Sequence, residues 1–240
     1  MILIIGASSG LGFELTKLFI SKKKKIIAVS RSALGLLYSD NLKYLRFDIN
    51  KLDFNKINKQ LDEDSLDAVI FTVGYFCDED SLNLDFDQVK KIIDTNFISI
   101  TQFVKFLIEK KKLRENSTVS FCSSVTTYLP RDSQIFYSSA KAGLNNFIES
   151  LRFMTLKYKM NLYFNKFIIG LLDSPMKGSK LKTSKLLSFK TTKAARFIYQ
   201  NYKSRNKDFN VPYWWIFLKI FILITPKIFL NILVKRFSSK

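Results

Sequence analysis

Met1-Ile-Leu-Ile-Ile-Gly6-Ala-Ser-Ser-Gly10-Leu-Gly12 is the stretch on which the fold turns. Five apolar residues running into a glycine read as a buried strand; a secretory leader would need a basic start and a longer apolar run. Leu11, Leu15, Leu18 and Phe19 then recur at helical spacing. In the turn between the two elements each glycine has its own task. Gly6 makes the tight turn without a Cβ in the way, Gly10 lets the backbone approach a pyrophosphate, and Gly12 lets the helix lie close to the strand. Ser8, Ser9 and Leu11 complete the loop, and the helix N-terminus offers unbonded N–H groups and a positive dipole end to the phosphates. A purely structural glycine-rich turn is the alternative reading. A strand before and a helix after are what a dinucleotide site requires.

The same alternation runs along the chain. Ile26–Val29, Tyr44–Phe47, Leu66–Val73, Thr118–Cys122 and Leu162–Ile169 read as further strands. Residues 82–112, 135–158 and 191–205 read as helices. This pattern implies an α/β fold: a Rossmann-type doubly wound parallel sheet with helices on both faces, in one domain over residues 1–210. Residues 211–240 follow as an apolar, basic helical tail. Ligands of such sheets bind beyond the carboxyl ends of the strands, so chemistry-bearing residues should follow strands.

Composition narrows the chemistry. At 47% hydrophobic, the 240 residues can bury one sizeable core. The two cysteines, Cys77 and Cys122, are too few for a disulfide framework and suit a reducing cytoplasm. With no histidine, histidine triads and histidine-held metals are excluded, and no metal site is expected. The net charge of +19 is uneven, for residues 174–240 hold fifteen Lys and Arg against one acid, Asp208. A compositional bias toward lysine is one explanation, and an anionic partner for the last quarter is the other. No nucleic-acid partner is expected.

The G-x-x-x-G-x-G spacing of Gly6, Gly10 and Gly12 resembles the short-chain dehydrogenase/reductase family in its compact single-domain branch. That resemblance implies an oxidoreductase interconverting a carbonyl and a secondary alcohol with a nicotinamide dinucleotide. It also implies an Asn–Ser–Tyr–Lys centre. Two Tyr-x-x-x-Lys pairs occur, Tyr137…Lys141 and Tyr199…Lys203. Only the first follows a strand ending near Ser124 and a helix carrying Asn96, so the second reads as a surface pair. The resemblance implies that Tyr137 is the proton donor, that Lys141 lowers its pKa and binds the nicotinamide ribose, that Ser124 holds the substrate oxygen, and that Asn96 supports a water-linked relay. Tyr137 and Lys141, four apart, share one helix face.

Other landmarks follow the resemblance less closely. Asp48 and Ile49, after the third strand, match the adenine-contacting position. Phe71-Thr-Val-Gly74 stands where the family has Asn-Asn-Ala-Gly. Ile169-Gly170-Leu-Leu-Asp-Ser174 replaces Pro-Gly-x-x-x-Thr, leaving Gly170 beside the cofactor and Ser174 for its carboxamide. Arg31, after the second strand where a carboxylate would select NAD, favours NADP(H) over NAD(H). The family's C-terminal strand with its Val-Asp-Gly-Gly-like ending is not found, which argues against a tetramer built there.

The tail runs Val211-Pro-Tyr-Trp-Trp-Ile-Phe-Leu-Lys-Ile-Phe-Ile-Leu-Ile-Thr225 and continues past Pro226 with Lys227, Asn231 and Lys235 four apart. Lys219, Pro226, Lys227 and Asn231 interrupt it too often for a simple transmembrane span. Trp214 and Trp215 with basic neighbours suit peripheral attachment to anionic lipid at the inner face of the cell membrane. Packing on the domain, or a homodimer interface, remains open. The functional expectation is a ketoreductase acting on an apolar or lipid-linked substrate, keto-sugars included. A soluble reductase of small metabolites and a non-catalytic cofactor-binding protein are the alternatives.

Overall fold

A computed structural model describes residues 1–32, 37–61, 65–77, 83–128, 132–173 and 188–226. Seven parallel strands form one sheet in the order β3-β2-β1-β4-β5-β6-β7. They are β1 (Ile2–Ile5), β2 (Ile26–Ser30), β3 (Leu42–Arg46), β4 (Leu66–Phe71), β5 (Leu113–Ser124), β6 (Leu162–Ile169) and β7 (Asp208–Val211). The chain reverses its direction of travel between β1 and β4, so a crevice opens at their carboxyl ends. β1, β2 and β4 are almost wholly buried, as expected of parallel strands covered on both faces.

The helices are α1 (Gly10–Ser21), α2 (Phe54–Gln60), α3 (Phe86–Ile93), α4 (Ser99–Glu109), α5 (Ile135–Lys157), α6 (Thr191–Asn201) and α7 (Trp215–Ile224). One face of the sheet packs Phe71, Phe121 and Phe164 against Phe103, Leu144 and Ile148 of α4 and α5. The opposite face packs Ile4, Ala28 and Phe167 against Leu15 and Phe19 of α1 and Ala194 and Ile198 of α6. Stacked and edge-on phenylalanines join strands to helices, with Phe71 and Phe121 at 5.3 Å and Phe71 and Phe103 at 6.0 Å.

Several expectations change. The long helix over 82–112 is two helices joined by a π-turn, Asp94–Ile98. The last core helix ends at Asn201, not at 205. α2 was not foreseen, because seven residues with one buried apolar side chain leave little periodicity. Of the second Tyr-x-x-x-Lys pair, Lys203 is exposed while Tyr199 is half-buried, its ring edge-on to Phe19 at 4.9 Å.

The largest correction is β7, the C-terminal strand that the sequence reading found missing. It pairs with β6 from Lys166↔Asp208 to Ile169↔Val211. Its motif is absent, but its position is held by charge. Lys166, nearly buried, contacts Glu149 at 2.8 Å and Asp208 at 2.9 Å, while Arg152 reaches Asp208 at 2.8 Å. Burial pushes Glu149 up in pKa, but the Lys166 hydrogen bond and charge outweigh it and hold the carboxyl below its ordinary value.

Candidate active site

Gly6 sits at φ +96° and Gly10 at φ +52°, both in the region that favours glycine. A Cβ on Gly12 would lie 2.1 Å from the Gly6 carbonyl oxygen, so the first turn of α1 touches the strand end only because Gly12 has no side chain, while a Cβ on Gly6 would meet Val73 N at 2.8 Å. Ser9 caps α1 in extended conformation without a side-chain hydrogen bond. The first helical N–H groups therefore face the crevice with no capping oxygen of their own. Ser8 is half-buried, Ser9 exposed, and Leu11 half-buried against the core. Thr72, in the segment that lost the family's asparagines, donates its hydroxyl to Ile5 O at 2.8 Å and so ties the end of β4 to β1 beside the loop.

At the end of β2, Arg31 Nη1 lies 3.8 Å from Asp48 Oδ2. Arg46, which the sequence reading passed over, donates from Nε to the Arg31 carbonyl at 3.0 Å. Two guanidinium groups thus stand at the carboxyl ends of β2 and β3, where Ser30 and Arg46 are in register. Asp48 accepts from the Asn50 backbone N–H at 3.0 Å, and Ile49 buries its side chain in the core.

Asn96 lies in the π-turn, fully buried. Its side-chain amide donates to Tyr75 O at 2.6 Å and Ile92 O at 2.8 Å, and its oxygen accepts from Tyr75 N at 3.3 Å. Both amide hydrogens are used, so the side chain clamps the loop after Gly74. The extra residue of the π-turn is what turns Asn96 toward that loop.

Ser124, Tyr137 and Lys141 do come together. Ser124 Oγ accepts from Thr126 N at 3.2 Å and from Thr126 Oγ1 at 3.0 Å, and Tyr137 hydrogen-bonds to Ser124. Lys141 Nζ, 2% exposed, donates to Cys122 O at 3.0 Å and stands 5.9 Å from the Tyr137 ring centre. Burial pushes the Tyr137 phenol up to about 12, despite the opposing Ser124 hydrogen bond. Burial lowers Lys141 to about 8. The expected depression of Tyr137 by Lys141 is therefore overturned: desolvation prevails, and Tyr137 keeps its proton at neutral pH.

Gly170 follows β6, and its N–H donates to Val211 O at 2.8 Å. Asp173 caps α6 by accepting from the Thr191 amide and hydroxyl. Ser174 lies outside the described residues. Among the described residues, no group of three or more potential metal ligands gathers.

The family model described as short chain dehydrogenase matches residues 1–185. The chain belongs to the short-chain dehydrogenase/reductase family. The probable short-chain type dehydrogenase/reductase VdlC of Helicobacter pylori is 28% identical over 160 residues, covering 63% of this chain and 58% of that protein. An NADPH-dependent 1-acyldihydroxyacetone phosphate reductase of Schizosaccharomyces pombe is 25% identical over 158 residues, covering 63% of this chain and 53% of that one. The match thus spans just over half the length of each of these relatives. A solved short-chain dehydrogenase family protein from Francisella tularensis shares the fold, with a TM-score of 0.75 and 18% identity over 88% of this chain and 96% of its own. Solved chains of this fold are known with NADPH and with NADH.

The residues present in this short-chain dehydrogenase fit a nicotinamide dinucleotide. The glycine cradle leaves room for backbone approach, the α1 N-terminus has no side-chain cap, and a buried Ser–Tyr–Lys group gathers at the end of β5, the strand beside β4. Sequence reasoning missed Thr72, Arg46, Thr126 and the seat of Trp215 described below. Arg46 alone carried a readable signal, as a cation at a strand's carboxyl end.

Proposed function

We propose that this short-chain dehydrogenase/reductase is an NADPH-preferring ketoreductase that works on an apolar or lipid-linked carbonyl substrate at the inner face of an anionic membrane. The Gly6–Gly12 loop would hold the pyrophosphate of the dinucleotide, whose reduced nicotinamide would supply the hydride. Ser124, fixed by two hydrogen bonds from Thr126 and one shared with Tyr137, would exchange the Tyr137 bond for one donated to the substrate oxygen. Tyr137 retains a proton that it can give to the developing alkoxide. Lys141, with its pKa lowered to about 8, is still mostly charged at neutral pH and favours that transfer electrostatically. Arg31 and Arg46 support the NADPH preference, since two cations suit a 2′-phosphate better than a bare ribose.

The observation that carries the lipid assignment is α7. This helix, Trp-Ile-Phe-Leu-Lys-Ile-Phe-Ile-Leu-Ile, buries no residue fully. Phe217, Ile220, Phe221, Leu223 and Ile224 are exposed. Among the described residues, no helix is long and apolar enough to cross a membrane. Lys219 Nζ of this helix lies 5.7 Å from the ring of Tyr128, four residues after Ser124 in the chain. Such a surface calls for an apolar partner. Residues 211–240 hold five basic side chains and no acidic one, which fits anionic headgroups. The S. pombe relative, named for reducing an acylated ketone, supports the same class.

Liposome flotation tests this. The full chain should float with phosphatidylglycerol vesicles, less so as salt rises, because each nearby Lys or Arg contributes about 1 kcal/mol that salt screens. Phe217→Glu with Leu223→Glu should abolish flotation without unfolding the domain, since both side chains are exposed. A full chain that ignores vesicles and sediments as a dimer would make α7 a protein interface.

A further inference from the structure

One polar atom on α7 points the other way. A Cβ on Gly170 would lie 1.9 Å from Trp215 Nε1 and 2.6 Å from its Cδ1, so the N–H edge of the indole rests directly on that glycine. A side chain at position 170 would displace the indole. Trp215 Nε1 is buried with no hydrogen-bond partner among the described residues. A buried donor left unpaired costs about 1–3 kcal/mol, and indole N–H groups ordinarily find acceptors. The start of α7 is well anchored, with Trp215 N donating to Pro212 O at 3.3 Å and Trp214 edge-on to Phe189 at 5.7 Å. The orientation of the indole is therefore built in.

Its position gives the unpaired donor a use. Ile169 is in register with Ser124 on one side and Val211 on the other, and Gly170 follows it at the carboxyl rim. Neighbouring strands lie about 4.8 Å apart, so Trp215 reaches the rim one strand over from Ser124. A single neutral N–H in apolar surroundings suits an uncharged carbonyl oxygen better than a phosphate or carboxylate.

We propose that Trp215 is a ligand-binding residue whose indole N–H donates to a carbonyl oxygen bound at this rim. The oxygen belongs either to the nicotinamide carboxamide or to the carbonyl substrate. The second source rests on the ketoreductase reading, and the first does not. In either case α7 contributes its apolar face to the surroundings and one hydrogen bond to the site.

The test uses the full chain with 15N-labelled tryptophan. Trp214→Phe assigns the two indole signals, and Trp215→Phe keeps an aromatic ring on Gly170 while removing the N–H. NADPH is titrated first, followed by 2-decanone as a neutral apolar ketone. A downfield move of the Trp215 indole proton on NADPH alone identifies the carboxamide, and one that waits for the ketone identifies the substrate. Trp215→Phe should weaken the corresponding ligand about five- to tenfold, as the loss of one neutral hydrogen bond does, while Trp214→Phe leaves it unchanged. An indole signal that moves with neither ligand overturns the proposal, and does so on the wild-type chain even if the variant misfolds. A chain whose signal moves on NADPH but which reduces no ketone refutes the ketoreductase reading and leaves this one standing.

Discussion

Lys141→Met isolates the energetic consequence of placing a lysine inside this domain. Methionine keeps the straight chain and approximate volume but carries no charge. Burial lowers Lys141 from 10.5 to about 8. Unfolding therefore takes up a proton at this position throughout the interval between those values. At about 1.4 kcal/mol for each pH unit, keeping the charged lysine buried costs the wild type about 3 kcal/mol at pH 7. By pH 10 most of that has gone, because the folded lysine is neutral and the unfolded one is losing its proton. Wild-type stability should thus rise by about 2–3 kcal/mol from this group between pH 7 and 10, and the variant should lack the rise. Cys122 and Tyr137, both pushed up to about 12, stay neutral when folded across this window in both proteins, so their contributions cancel. The lost hydrogen bond to Cys122 O offsets part of the gain at every pH, without altering the slope. Urea unfolding of both proteins at pH 7, 8, 9 and 10 measures the difference. The variant's advantage should shrink or reverse with pH while its reductase activity is lost throughout. Parallel pH curves would refute the argument, for they would mean that the folded lysine is solvated.

Three further outcomes follow from the site. Tyr137→Phe should lower kcat about 10²–10⁴-fold, with NADPH affinity nearly unchanged, as stopped-flow and fluorescence titration would show. Arg31→Ala should weaken NADPH by one to two decades, from about 1.5–3 kcal/mol for a charge-assisted bond, and leave NADH untouched; equal losses would show that Arg31 reads no phosphate. Gly12→Ala forces a Cβ against the Gly6 carbonyl. It should cost about 1–3 kcal/mol in urea unfolding and abolish dinucleotide binding, and a stable variant that binds normally would contradict the cradle.

Much of the fold was legible because its signals are local. A five-residue apolar run, a glycine turn and a helical repeat sit within the first nineteen residues and announce the phosphate loop without reference to anything distant. β2, β4 and β6 were readable for the same reason, as was the order Ser124, Tyr137, Lys141. What the local pattern could not carry was anything set by desolvation or by partners remote in sequence. β7 has only Phe209 and Val211 to mark it, and it is placed by Lys166 and Arg152, some forty to sixty residues upstream. The π-turn that aims Asn96 is one extra residue in an otherwise helical pattern.

The sequence by itself determined the parallel α/β architecture, the glycine loop between β1 and α1, and the order of Ser124, Tyr137 and Lys141 after β5, because residue type and spacing suffice when the partners are neighbours or follow successive strands. Only the tertiary structure decided the state of those groups. It decided that Tyr137 keeps its proton, because burial depends on how α5 closes over β5 and not on the tyrosine's neighbours in the chain. It also decided that the tail's second tryptophan rests on Gly170 while Phe217, Ile220, Phe221, Leu223 and Ile224 stay exposed, because that contact needs Gly170 and Trp215, forty-five positions apart, to meet at one rim of the sheet.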